Sequence, residues 1–224
     1  MDGLTTGPSN FDRLARIYRA LERLAFGRSL ERARFCFLDR LSTCEHILVL
    51  GEGDGRCLER LSRIAPSARI HCVDASRTML ARAEARLPDA ARTRIVFERA
   101  DVLSKSFAPA SYDAVVTLFF LDCFTADQVS AIVASVTAAL STGAPWLFAD
   151  FAVPAGRLAS WRARLWLKVL YLFFRWQTGL SARSLPPSEA LIRAQGFQCC
   201  EEQDFDRGFV RSAVYRISRP ATTP

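Results

Sequence analysis

The chain has 224 residues, half of them hydrophobic and 24% charged, which is long enough for one buried core and ordinary for a globular protein. Its 30 Lys and Arg against 23 Asp and Glu give a net charge of +7, nearly all of it arginine and scattered through helical stretches, which reads as a mixed-sign solvated surface rather than a nucleic-acid patch. Seven cysteines without a Cys-x-x-Cys pair, two histidines (His46, His71) at no zinc spacing and an N-terminus lacking a basic segment before an apolar core read as a reducing, cytoplasmic setting with no structural metal and no secretory leader.

Residues 14–40 read as one or two helices broken near Gly27, with Leu14, Ile17, Tyr18, Leu21 and Leu24 at helical spacing. Residues 46–50 are a short apolar strand running into Gly51. A helix follows at 56–64 and stops before Pro66. Residues 69–73 are a second strand, ended by Asp74. Ser76 begins a helix to Leu87, closed by Pro88. Residues 94–98 form a third strand with Asp101 just past it, and 112–120 a fourth. Thr125 caps a helix through Leu140. Gly143 and Pro145 lead into a fifth strand at 146–151. A helix at 188–195 ends at Gly196, and 197–204 and 209–217 are two last strands joined through 206–208.

Short apolar strands separated by helices pair in parallel, and the last two, joined by a tight turn, pair antiparallel. The predicted fold is therefore α/β: a Rossmann-like, doubly wound sheet, mostly parallel with an antiparallel C-terminal strand, helices on both faces. It is one domain, with a helical N-terminal cap (1–42), a core (43–151), a helical insertion (152–187) and a C-terminal helix and hairpin (188–224). Ligands in such sheets bind beyond the carboxyl ends of the strands, at the switch point beside strand one. Gly51, Gly53, Gly55, Asp74, Asp101 and residues 119–122 all fall at those ends.

Three alternating glycines after a buried strand let the backbone turn sharply and approach a ligand, although a bare structural corner would use the same residues. The spacing is Gly-x-Gly-x-Gly, not the Gly-x-Gly-x-x-Gly of pyrophosphate binders, which weighs against a nicotinamide cofactor. Glu52 and Asp54 add negative charge, which suits a ligand carrying an ammonium and a sulfonium. Asp74 is placed to accept from both hydroxyls of a ribose, or to cap the next helix. Ala75 and Met79 pack on an adenine face or in the core, and Asp101 accepts from an adenine amine or merely forms a loop. Asp122 is a general base or a cap for the helix starting near Thr125. Cys123 reads as packing, with no histidine nearby in sequence to activate it.

Together, Gly51, Gly53, Gly55, the Val73-Asp74-Ala75-Ser76 run with Met79 and Leu80, Asp101, and Tyr112-Asp113-Ala114-Val115-Val116 resemble the class I S-adenosylmethionine-dependent methyltransferases. Phe11-Asp12, Ala15 and Tyr18 look like the small-molecule and quinone-type branch. The resemblance implies S-adenosylmethionine as cofactor, held by Tyr18, Gly51, Glu52, Gly53, Gly55, Asp74, Ala75, Met79, Asp101, Val102, Leu118 and Phe119. One departure is Val49, where many members carry an acid; Glu52 or Asp54 would have to compensate. The resemblance implies methyl transfer to an O, N or C atom of a small, apolar or aromatic acceptor. The alternative is a non-catalytic, regulatory cofactor-binding protein. Residues 157–179 carry three tryptophans among arginines. They read as a cap over the acceptor, with Trp161, Trp166 and Phe173 lining it, as a helix on a membrane surface, or as a homodimer contact.

Overall fold

The computed structural model describes residues 28–153 and 185–217. The predicted helix before residue 28, with Tyr18, and the 157–179 segment, with Trp161, Trp166 and Phe173, lie outside the described residues. Seven strands form one sheet: β1 (His46–Leu50), β2 (Arg69–Asp74), β3 (Ile95–Arg99), β4 (Ala114–Leu118), β5 (Trp146–Phe151), β6 (Phe197–Phe205) and β7 (Val210–Ile217). Their order is β3-β2-β1-β4-β5-β7-β6. The first five are parallel, while β7 runs antiparallel to both β5 and β6. The doubly wound α/β reading holds.

Six described α-helices accompany the sheet: α1 (Ser29–Phe35), α2 (Arg56–Ile64), α3 (Arg77–Arg86), α4 (Asp89–Arg92), α5 (Ala126–Ala139) and α6 (Ser188–Ala194). β1 is apolar at every position after His46 because both faces are covered. Ile47 and Val49 pack with Leu58 and Leu61 of α2 and Ala83 of α3. Leu48 and Leu50 point the other way, to Val129, Ile132, Val133 and Val136 of α5. Alternation along one strand thus feeds two cores. Trp146 anchors the second core, its indole N–H donating to the Thr117 hydroxyl at 2.8 Å and its ring meeting Phe197 edge-on.

Thr125 caps α5 as expected. Its hydroxyl accepts from the Gln128 N–H while the Gln128 side chain accepts from the Thr125 N–H, a full capping box. Two features differ from the sequence reading. β4 is shorter than 112–120, since Tyr112 makes only an isolated bridge to Leu140 and Phe119 turns out of the sheet at φ +56°. The short α4 after Pro88 carries no apolar periodicity that would announce it. His71 sits between the Tyr112 hydroxyl (2.6 Å) and Glu98 (2.8 Å). Among the described residues, no helix is long and apolar enough to cross a membrane, and no cluster of three or more His, Cys, Asp or Glu is placed to hold a metal ion.

Candidate functional site

The strand order puts most of the candidate residues on one rim. β1 lies between β2 and β4, so the winding direction reverses there and a crevice opens at the carboxyl ends. Leu50 stands opposite Val73 and Thr117, so Gly51, Asp74 and Phe119 leave the sheet near one another. The Gly51 N–H donates to the Val73 carbonyl at 2.9 Å, that of Ala100 to the Asp74 carbonyl at 3.3 Å, and that of Phe119 to the Ala149 carbonyl at 2.7 Å. These bonds carry the register past the strand ends and bring Asp101 to the same edge.

Gly51, Gly53 and Gly55 have φ of +66°, +72° and +88°, the region that glycine alone enters without strain. Their surroundings differ. A Cβ at Gly51 would overlap the Phe120 ring, and one at Gly55 would lie 2.5 Å from the Ala83 Cα, whereas one at Gly53 would meet nothing within 4 Å. The outer two glycines serve the fold. Gly53 borders open space into which a ligand can come against the backbone.

Glu52 is 9% exposed, and its Oε1 accepts from the N–H groups of Cys57 (2.9 Å) and Leu58 (3.2 Å) at the start of α2. Asp54 pairs with Arg56 at 3.0 Å and Arg86 at 3.5 Å. The Glu52 Oε1 is thus engaged by the start of α2. Val49 itself lies in the core. Burial pushes the Glu52 carboxyl up to about 7, against its bonds to α2 and the nearby Arg34 charge. The folded-state value is raised, so this group's stabilising contribution is fully present below about pH 4.5 and is lost as pH rises to about 7. Glu52→Gln keeps an oxygen for both N–H groups and cannot ionise. Its melting temperature should exceed that of the wild type above neutral pH and approach it in acid. A lower melting temperature at about pH 8 would mean that the charge itself stabilises the turn.

Asp74 ends β2. Its Oδ1 accepts from the Ser76 N–H at 2.8 Å, which fixes the carboxylate, while its Oδ2 has no hydrogen bond among the described residues. Ser76, not Asp74, is the N-cap of α3: its hydroxyl accepts from the Met79 N–H. The Asp101 Oδ1 accepts from the Leu103 N–H at 3.0 Å, a loop turn, and Val102 is buried in the core. Ala75 is exposed, and Met79, Leu118 and Phe119 are half-buried. The Arg34 guanidinium lies over the Phe119 ring at 5.3 Å.

An open space at Gly53, a fixed carboxylate with a second oxygen at Asp74, and a rim of acids fit a cofactor that carries positive charge and a ribose. Residues 47–143 match a family model described as a methyltransferase domain. Over those residues the chain resembles a methyltransferase domain.

No curated protein matches this sequence. Solved structures share its fold. The apo form of the S-adenosylmethionine-dependent methyltransferase SibL is 18% identical with a TM-score of 0.67, over 96% of this chain and 61% of that one. Mitomycin 7-O-methyltransferase MmcR is 17% identical with a TM-score of 0.64, over 91% and 58%. The N-methyltransferase NodS of Bradyrhizobium japonicum WM9, in complex with S-adenosyl-L-homocysteine, is 18% identical with a TM-score of 0.60, over 85% and 88%. The chain therefore spans about three fifths of the length of the first two.

The chain leaving β4 forms one turn of 3-10 helix, Leu121–Cys123. The Asp122 N–H donates to the Asp150 Oδ2 at 3.0 Å, and the Asp150 Oδ1 accepts from the Phe151 N–H at 2.9 Å. Asp122 is not the helix cap, because Thr125 fills that role. Asp150, near the end of β5 and 2% exposed, was missed in the sequence. Its one signal is a charged residue inside an otherwise apolar strand, and a carboxylate is seldom buried without a reason. Burial holds the Asp122 carboxyl up at about 6, and burial together with the Asp122 charge holds Asp150 well above the usual range. The Cys123 thiol, 3.6 Å from the Asp122 Oδ1, is pushed up by burial and stays protonated, so it is no nucleophile. Beside Asp150 a cavity of about 860 Å³ opens between the end of β5, the residues leading into α6 and the β6–β7 turn.

If Asp74 holds the ribose of S-adenosylmethionine, Asp74→Ala should weaken binding of that cofactor by roughly 1–3 kcal/mol through lost charged hydrogen bonds. Titration calorimetry reads it. Wild-type affinity in a variant that keeps its circular dichroism spectrum would remove Asp74 from the site.

Proposed function

We propose that this chain is a class I S-adenosylmethionine-dependent methyltransferase that transfers the methyl group to an O, N or C atom of a small, apolar or aromatic acceptor. The observation that supports this most is the small-molecule-sized cavity beside Asp150, on the same rim of the sheet as the Gly53 turn. When bound, the cofactor supplies an already activated methyl group, so the protein's work is alignment and exclusion of water. Gly53 and Asp74 hold the cofactor in this reading, with Gly51, Gly55 and Phe119 shaping its bed. Asp122 accepts the proton that an O–H or N–H acceptor releases, its carboxyl being ionised at neutral pH yet close to it. Val153 and Leu185, the described residues nearest the 157–179 segment in sequence, both line the cavity.

Incubation with methyl-labelled S-adenosylmethionine and a metabolite extract should place label in the small-molecule fraction. Against the acceptor so found, kcat/KM should rise with pH through about 6, and Asp122→Asn should remove that limb. Trp166→Ala should raise the acceptor KM and leave cofactor affinity alone. A protein that binds S-adenosylmethionine but labels nothing is a cofactor-binding regulator instead.

A further inference from the structure

Resting on the methyl-transfer reading, we propose that the cavity at the end of β5 takes acceptors carrying a carboxylate, with Arg207 as its counter-ion and the Ser188 hydroxyl as its hydrogen-bond donor.

Ser188 is 5% exposed and lines the cavity, and its Oγ has no hydrogen-bond partner among the described residues. A buried hydroxyl left unpaired costs stability, and native proteins leave few such groups without cause. A ligand in the cavity supplies the missing partner.

The charges lining the cavity divide into matched and unmatched. Arg211 donates to both oxygens of Asp204, at 2.7 and 3.1 Å, and lies 3.5 Å from Glu189. Glu189 also accepts the Tyr215 hydroxyl at 2.8 Å and lies 4.0 Å from Arg193. Asp150 is held by the backbone N–H groups of Asp122 and Phe151. All three carboxylates are thus engaged. Among the described residues, Arg207 is the charged group of the cavity without a hydrogen-bonded or ionic partner. Its planar fork of donors matches a carboxylate.

The backbone holds Arg207 in place at a cost. Asp206, Arg207 and Gly208 have φ of +46°, +56° and +84°, so two residues with side chains occupy the left-handed region. Such conformations persist where the surroundings over-determine them, often at ligand clamps. The surroundings here are visible: the Phe209 N–H donates to the Asp206 carbonyl at 3.2 Å, and the Phe209 carbonyl accepts the Ala152 N–H at 2.9 Å, tying the turn to the residue after β5. Phe148, Phe151, Pro186 and Pro187 complete an apolar wall suited to a ring. An acceptor held by its carboxylate at Arg207 can direct its reacting atom toward Asp150 and the cofactor rim.

The test uses benzoate, its neutral isostere benzamide, and benzylamine in ligand-observed NMR titrations of the full chain with S-adenosylhomocysteine. Benzoate should bind roughly tenfold or more tightly than benzamide. Arg207→Asn, whose side chain tolerates the left-handed backbone, should erase that preference and leave benzamide and S-adenosylmethionine affinities unchanged. Ser188→Ala should weaken benzoate binding while raising the melting temperature of the ligand-free protein, whereas a serine with a purely structural role would lower it. Equal affinity for benzoate and benzamide, preference for benzylamine, or no binding of any probe at millimolar concentration overturns the inference. A parallel S-adenosylmethionine titration of the wild type separates the two levels. If the cofactor binds and benzoate is not preferred, only the carboxylate assignment fails. If the cofactor does not bind, the methyl-transfer reading fails as well.

Discussion

A Gly53→Val variant is expected to lose S-adenosylmethionine binding altogether while its fold survives. A side chain at this position meets no protein atom within 4 Å, so nothing in the core has to move. The backbone strain at φ +72° costs roughly 1–2 kcal/mol, more for a β-branched residue, against a folding margin of about 5–15 kcal/mol for an ordinary domain. In the proposed reading the cofactor lies against the chain in the open space beside Gly53, and a branched side chain fills that space. Gly53→Ala is the milder companion and should weaken binding without abolishing it. Calorimetric titration beside a thermal melt reads both effects. Wild-type affinity in the valine variant would reduce the turn to a corner of the fold.

Gly55→Ala should do the reverse, two residues away. Its Cβ would stand 2.5 Å from the Ala83 Cα and 3.0 Å from both the Ala83 Cβ and carbonyl oxygen. Those atoms include the backbone of α3, which cannot swing aside as a long side chain can. Either α3 moves off α2 or the turn deforms. Overpacking of this kind costs about 1–3 kcal/mol, and the left-handed φ of +88° adds about 1–2 kcal/mol for any L side chain. Together that is a loss of about 2–5 kcal/mol, visible as a lower denaturation midpoint. Cofactor affinity measured under conditions where the variant is fully folded should fall less than in Gly53→Val. An unchanged midpoint would show that the two helices are less closely packed there than the geometry gives. One glycine motif thus divides its labour: Gly55 holds the helices together and Gly53 leaves room for the ligand.

Much of this architecture was readable from periodicity. The strand at 146–151 and the helix at 56–64 have the predicted bounds, because a glycine or proline stands near their ends. Asp74 and Thr125 lie where local rules place them, at a strand end and a helix start. What escaped depends on distant parts of the chain meeting. Asp150 reads as an ordinary strand residue until the Asp122 N–H is found pointing at it from the neighbouring strand's end. Glu52 reads as a ligand for the cofactor, and the bonds of its carboxylate to α2 appear only in the fold. Ser188 and Arg207 carry no motif at all. One is notable for a partner it lacks and the other for a backbone angle, and neither property is written in a local pattern.

The place of β7 between β5 and β6 has a consequence for the order in which the molecule can assemble. As the chain leaves the ribosome, β6 emerges before β7, and in the finished sheet it runs parallel to β5. Until residues 210–217 appear, β5 has one paired edge and one bare edge, with the wrong strand closest to hand. Synthesis that pauses in this interval leaves that bare edge as a template for other chains. The tight connection at Asp206–Gly208 offers the way out. It lets β6 and β7 close as a hairpin within microseconds, so that the pair docks as a unit with β7 leading.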